Sequence, residues 1–220
     1  MPVDVITRSV SDVITEVKRT FGDESGVQIT DSDIVRWINA AQLEVAMRNP
    51  EILPAVVMVN AVAGQSDYPL LANVPNVLTV QSIHYSNKPV KHLQFQEAEE
   101  FLMNGDNSIL PYSPSVYPEF WYERAGVVTF YPAPTESATG AIKIYFNKRP
   151  DNVTTNSLLS LSDHYYNGIV SYVLEQAYLL DENPQLAGVV AAKFDSTVTR
   201  MQERTSTQSD YYPFITVIED

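Results

Sequence analysis

Apolar residues at Ile6, Val10, Val13, Ile14, Val17 and Phe21 recur at intervals of three and four, which places them on one stripe of a helix. Gly22 supplies its stop, and Asp23-Glu24-Ser25-Gly26 reads as a loop. Thr30-Asp31-Ser32-Asp33 then matches a capping box, an acidic side chain three residues after a hydroxyl. Ile34, Ile38, Ala41 and Val45 follow at helical spacing with Trp37 beside them, and Asn49-Pro50 ends the run, because proline disfavours helical geometry in its predecessor.

Between Ile52 and Asn147 the period shortens to that of strands. Residues 55–62 are rich in valine, and Gly64-Gln65-Ser66-Asp67 predicts a turn into Tyr68-Pro69-Leu70. Residues 77–85 predict a strand closed by Ser86-Asn87-Lys88-Pro89. Residues 95–103 predict a short helix stopped by Asn104-Gly105, and the proline- and tyrosine-rich residues 110–118 an ordered loop. Residues 119–122 and 127–131 flank Glu123-Arg124-Ala125-Gly126 as the arms of a hairpin, ended by Pro132-Ala133-Pro134. Ile142, Ile144 and Phe146 alternate with Lys143 and Tyr145 as a half-buried strand does, and Lys148-Arg149-Pro150 closes the region.

Helical spacing returns after a second capping signal, Ser160-Leu161-Ser162-Asp163. Tyr166, Ile169, Val170, Val173, Ala177 and Leu180 form one stripe; Leu186, Val190, Phe194, Val198 and Met201 form another after Asn183-Pro184. The short connector predicts that these two helices pack antiparallel. Residues 205–210 are a polar spacer without periodicity, followed by Tyr211, Tyr212, Phe214, Ile215, Val217 and Ile218 and then Glu219-Asp220. The expected fold is α+β: a helical bundle from the N- and C-terminal helices, a β-rich insertion, and an extended C-terminal arm. The corresponding segments are residues 1–50, 51–150, 151–205 and 206–220.

Composition narrows the function. With 220 residues and 45% hydrophobic content the chain can bury a sizeable core. It holds no run near the roughly 18 apolar residues that span a bilayer, so no membrane partner is expected. Met1-Pro2-Val3-Asp4 has no basic region ahead of an apolar stretch, so no secretory signal is expected either. The absence of cysteine excludes disulfides and thiolate chemistry. Fourteen basic residues against twenty-seven acidic ones, a net charge of −13, argue against tight wrapping of nucleic acid, which needs cations to displace counterions. Thirteen tyrosines suit subunit faces, although any one of them serves as readily to cap a core.

Catalytic and metal motifs are missing. There is no phosphate-cradling or dinucleotide-binding glycine pattern, and no nucleophile elbow paired with a histidine. His84, His92 and His164 lack ligand spacing, so no metal or cofactor is expected; pairing of their strands would bring His84 near His92 and still leave a zinc site short of ligands. Glu97, Glu99 and Glu100 near Asp106 are the one acidic group that a glycosidase could use, and more simply form a solvated helix face. The aromatic run Tyr112, Tyr117, Phe120, Trp121 and Tyr122 offers an alternative reading as a carbohydrate- or receptor-binding surface. The C-terminal arm is the strongest partner-binding candidate, because six large apolar residues on a free end need cover; folding back on its own subunit is the alternative.

Several segments resemble one family. Asp33-Ile34-Val35-Arg36-Trp37-Ile38-Asn39-Ala40-Ala41-Gln42 is similar to an acidic-capped second helix bearing a W-I-N-x-A-Q signature. Gly64 with Tyr68-Pro69-Leu70 resembles the family's turn into a β segment, and residues 126–134 its hairpin ending in P-x-P. Residues 159–163 with 169–177 resemble its closing helices. The family is that of the head-to-tail adaptor proteins of short-tailed bacteriophages, also called connector or tail tubular proteins; residues 110–118 are longer and more aromatic than its pattern. The resemblance implies a non-enzymatic virion subunit assembled in the host cytoplasm. It implies a homo-oligomeric ring, a dodecamer, at the head-tail junction, bound to the portal protein on one side and to a tail or nozzle protein on the other. DNA would pass through the ring only as transiting cargo, with the helices lining the ring and the β insertion facing the tail. It further implies that Tyr211, Tyr212, Phe214, Ile215, Val217 and Ile218 form a portal-docking arm, with a neighbouring subunit as the other possible recipient.

Overall fold

A computed structural model describes residues 6–74, 76–104 and 117–209. In chain order its elements are α1 (Val10–Phe21), α2 (Asp31–Arg48), β1 (Pro54–Ala61), β2 (Asp67–Pro69), α3 (Leu70–Asn73), β3 (Val77–Tyr85), β4 (Lys88–His92), α4 (Phe95–Asn104), β5 (Phe120–Arg124), β6 (Val127–Tyr131), β7 (Ala138–Lys148), α5 (Tyr166–Leu180) and α6 (Pro184–Ser209). The class is α+β. The chain divides into two compact units, Met1–Leu53 with Pro150–Asp220, and Pro54–Arg149.

In the first unit, α1 starts later than the apolar stripe suggests. The Ser9 hydroxyl accepts the Asp12 N–H (3.1 Å) and the Asp12 carboxylate accepts the Ser9 N–H (2.9 Å), a reciprocal cap that leaves Ile6 outside the helix and exposed. At α2 the Thr30 hydroxyl accepts the Asp33 N–H (3.2 Å). Val13, Val17, Ile34, Ile38, Ile169, Val173, Phe194 and Val198 meet in one buried cluster. Leu180 and Leu186 were expected on these stripes and are exposed instead, because they stand where α5 ends and α6 begins. Asn183 accepts the Leu186 N–H (3.2 Å) and so caps α6 behind Pro184. The polar residues 205–209, expected to be aperiodic, continue α6 to Ser209: extending an existing helix is far easier than starting one.

The second unit is a seven-stranded mixed sheet in the order β1-β7-β3-β4-β5-β6-β2. All neighbours are antiparallel except β4 and β5, which pair in parallel. β7 lies between β1 and β3, and its Ile142, Ile144 and Phe146 are buried in the core cluster on one face. Ser86-Asn87 closes β3 at Tyr85 as expected and does so as a turn: both residues have positive φ (47° and 67°), the geometry of a two-residue hairpin turn, and β4, which was not expected, follows directly. Ala125-Gly126 makes the same kind of turn (φ 50° and 74°), so Glu123 and Arg124 belong to β5 and pair with Val128 and Val127.

Candidate functional site

The W-I-N-x-A-Q segment is a clamp. Asn39 and Gln42 stand one helical turn apart on α2 and both grip backbone from the far end of the sequence. The Asn39 amide donates to the Val153 carbonyl (3.2 Å) and accepts the Val153 N–H (2.8 Å), while the Gln42 carbonyl accepts the Ser160 N–H (2.6 Å). Asn49 extends the series by donating to the Tyr165 hydroxyl (3.0 Å). A second tie runs from the segment before α1. Asp163, expected to cap a helix, lies in a short 3-10 turn capped by Ser162; its carboxylate accepts the Thr7 N–H and the Arg8 N–H (both 3.0 Å) and the Thr7 hydroxyl. Those hydrogen bonds, the Thr7 hydroxyl's foremost, hold the Asp163 carboxyl below its ordinary range.

Asp23 staples the loop between α1 and α2. Its carboxylate accepts the N–H groups of Ile29 (2.9 Å), Gln28 (2.7 Å) and Val27 (3.0 Å) and the Ser25 hydroxyl (3.0 Å). These bonds, led by that of Ile29, outweigh partial burial and bring the carboxyl from 3.8 to about 2. A carboxyl that is more acidic in the folded state stabilises fully above its unfolded value and loses that contribution as the pH falls toward about 2. The wild type should therefore lose stability between about pH 4 and pH 2. Asp23→Asn should melt lower at pH 6 and show a flatter acid profile, read by circular dichroism; an unchanged profile would remove Asp23 as the staple.

The two edges of the sheet are unlike. β2 is short and guarded: the Asp67 carbonyl accepts the Gln65 side-chain amide (2.8 Å), Pro69 has no N–H, and the Pro69 carbonyl accepts the Asn73 amide (2.7 Å). β1 is long, carries no charge, and alternates Val56 and Met58, 53% and 63% exposed, with Val57 and Val59 packed on the core. Among the described residues nothing hydrogen-bonds to the side of β1 away from β7. Strands β1, β3 and β7 also contain no carboxylate side chain, and their charges are Lys143 and Lys148.

The other sequence candidates disperse. Tyr211, Tyr212, Phe214, Ile215, Val217 and Ile218 lie outside the described residues, as do Tyr112 and Asp106. Phe120 and Trp121 are 0% and 2% exposed, with the Trp121 indole 4.2 Å from the His92 ring, so they are core and hairpin packing and not an open aromatic platform. Glu97 accepts the Gln94 N–H (3.1 Å) at the start of α4, and Glu99 lies 3.8 Å from Arg124, whose guanidinium sits over Phe95. They are thus a cap and an ion pair. His84 stands opposite Pro89 and packs on Tyr145 (4.9 Å between ring centres). Among the described residues no group of three histidines or carboxylates is placed to hold a metal ion, and no helix is long and apolar enough to cross a membrane. An open cleft of about 530 Å³ beside α1 has charges that answer one another: Arg8 lies 4.7 Å over the Tyr166 ring, and the Tyr166 hydroxyl donates to Glu16 (2.6 Å).

Sequence reasoning missed the clamp, the Asp163 tie and the free β1 edge. A signal for the first two was present, since Asn39, Gln42 and Asp163 are polar residues within or beside apolar stripes; the edge left none, because strand order is not local. A model of the SU10 adaptor protein family matches residues 8–215. No curated protein matches the chain.

Proposed function

The chain belongs to the SU10 adaptor protein family, and from that premise we propose that it is a structural subunit of a phage virion, forming a ring between portal and tail. The family match over residues 8–215 carries this reading, since it takes in both helical segments and the whole sheet. Helices from both ends of the sequence form the ring-lining bundle, the β insertion faces the tail, and DNA crosses the lumen as cargo. The clamp of Asn39 and Gln42 serves such a part: a subunit at the mouth of a pressurised head needs its two chain ends locked to each other. The role is mechanical, without catalysis or cofactor, and the arm made of Tyr211, Tyr212, Phe214, Ile215, Val217 and Ile218 works between chains, on the portal or on a neighbouring copy. A net charge of −13 suits a lumen that DNA must traverse without adhering.

Mixing the purified chain with the portal protein of the same phage tests this. Co-elution on size exclusion, with images showing a closed ring of added density at the portal's tail-facing end, is the expected result. A chain that stays monomeric alone accords with the reading when the portal templates it. A chain that binds neither portal nor tail protein at any concentration overturns it.

A further inference from the structure

We propose that Phe214, Ile215, Thr216, Val217 and Ile218 of one copy add as an eighth strand to the free edge of β1 in a second copy. The inference rests on the ring reading and specifies one joint of the ring. A strand at a sheet edge offers a row of unpaired N–H and C=O groups, and natural proteins blunt such rows with charge, proline, brevity or cover. β2 is blunted by its brevity of three residues, by Pro69 and by the side chains of Gln65 and Asn73. β1 has Pro54 at its first position and a register break near Asn60, and between them Pro54 to Val59 run in unbroken register with Asn147 to Ile142. Among the described residues that stretch is left open, and it is uncharged and apolar on both faces.

The occupant follows from composition and charge. A strand added to β1 must itself be apolar on both faces, because β1 presents Val56 and Met58 on one side and Val57 and Val59 on the other. The arm supplies such a segment, with Phe214, Thr216 and Ile218 alternating with Ile215 and Val217 and no charge, glycine or proline among them. Acids flank it as Asp210, Glu219 and Asp220, and the receiving strands hold lysines and no carboxylate. Two copies that each carry a net charge of −13 repel over most of their surfaces, so a contact between them belongs where acids are missing. An arm given to one neighbour and an edge offered to the other is a head-to-tail interface, the kind that closes into rings.

Two full-length-based variants test it by sedimentation equilibrium. One lacks residues 211–220; the other carries Val56→Glu and Met58→Glu, substitutions at exposed side chains that leave the core packing intact. The wild type is expected to self-associate, and each variant to do so on the order of a hundredfold more weakly, with unchanged circular dichroism and melting. Mixed in equal amounts, the two defective chains are expected to form heterodimers and nothing larger, since one contributes only an arm and the other only an edge. Either variant assembling as the wild type does, a wild type that stays monomeric at the same concentration, or a mixture that remains monomeric overturns the strand addition. If the variants still form rings on the portal, the adaptor reading stands and this joint alone is removed.

Discussion

A Phe194→Ala chain is expected to lose about 3–5 kcal/mol of stability, a large part of the margin of about 5–15 kcal/mol typical of folded domains. Phe194 is buried on α6 with the Tyr172 ring edge-on at 5.2 Å and the Arg48 guanidinium 5.0 Å above it. The site cannot collapse easily once the ring is gone. Arg48 is fixed by Glu44 (2.7 Å) and Asp195 (2.6 Å), which holds α2 against α6, and Gln202 donates to the Arg48 carbonyl. On the other side Gly168 already brings α5 close to α6: a Cβ there would stand 3.3 Å from the Thr197 methyl. A void framed by fixed helices keeps most of its cavity cost, which places the expected loss toward the upper part of the range. Trp37 packs against the same core, so its fluorescence during urea unfolding is a direct readout. Leu186→Ala, on the same helix but exposed, should stay within about 0.5 kcal/mol. Equal losses in the two variants would mean that the helices repack freely.

The helices were largely legible because their signals are local. Thr30 and Asn49-Pro50 bracket α2, and Asn183-Pro184 separates α5 from α6, each by chemistry confined to a few neighbouring residues. Where one local signal competed with another, the weaker reading won: Ile6 extended the apolar stripe of α1 on paper, while Ser9-Val10-Ser11-Asp12 held the true cap. The same competition hid β4. Lys88-Pro89 looks like a strand breaker, yet Pro89 sits opposite His84 in the middle of a three-residue pairing, and two residues of positive φ had already turned the chain.

Everything depending on distant partners was out of reach. Asn39 and Gln42 could be read as part of a family-like motif, but their purpose lies at Val153 and Ser160, more than a hundred positions away. The identity of an edge strand is of the same kind. β1 and β3 are both uncharged, and only the order β1-β7-β3 leaves one of them with a free side among the described residues. Alternation along β1 shows which side chains face water and says nothing about which backbone groups lack a partner. Where an arm could add to the sheet is therefore set by strand order, which no local pattern in the sequence encodes.

That geometry depends on the opposite edge staying shut, and Phe130→Ala should open it. Phe130 is buried on β6 and meets the Tyr68 ring edge-on at 5.6 Å; Tyr68 is the middle residue of β2, and its hydroxyl accepts the Val62 N–H (3.1 Å). β2 pairs with β6 over three residues, flanked by the Phe130 N–H on the Ser66 carbonyl (2.9 Å) and the Leu70 N–H on the Gly126 carbonyl (2.8 Å), and the ring contact and the Tyr68 hydroxyl bond add to what keeps it there. Removing the Phe130 ring should cost about 3–5 kcal/mol and also loosen β2, exposing β6 as a second apolar edge. The expected sign is aggregation on warming, below the temperature at which the wild type melts, followed by light scattering. Tyr68→Phe separates the two contributions, since it keeps the ring contact and leaves the Val62 N–H without its acceptor, a loss of about 1 kcal/mol. If Phe130→Ala melts lower but stays clear in solution, β2 is held by its backbone bonds and not by Tyr68, and the guard on that edge is sturdier than its three residues imply.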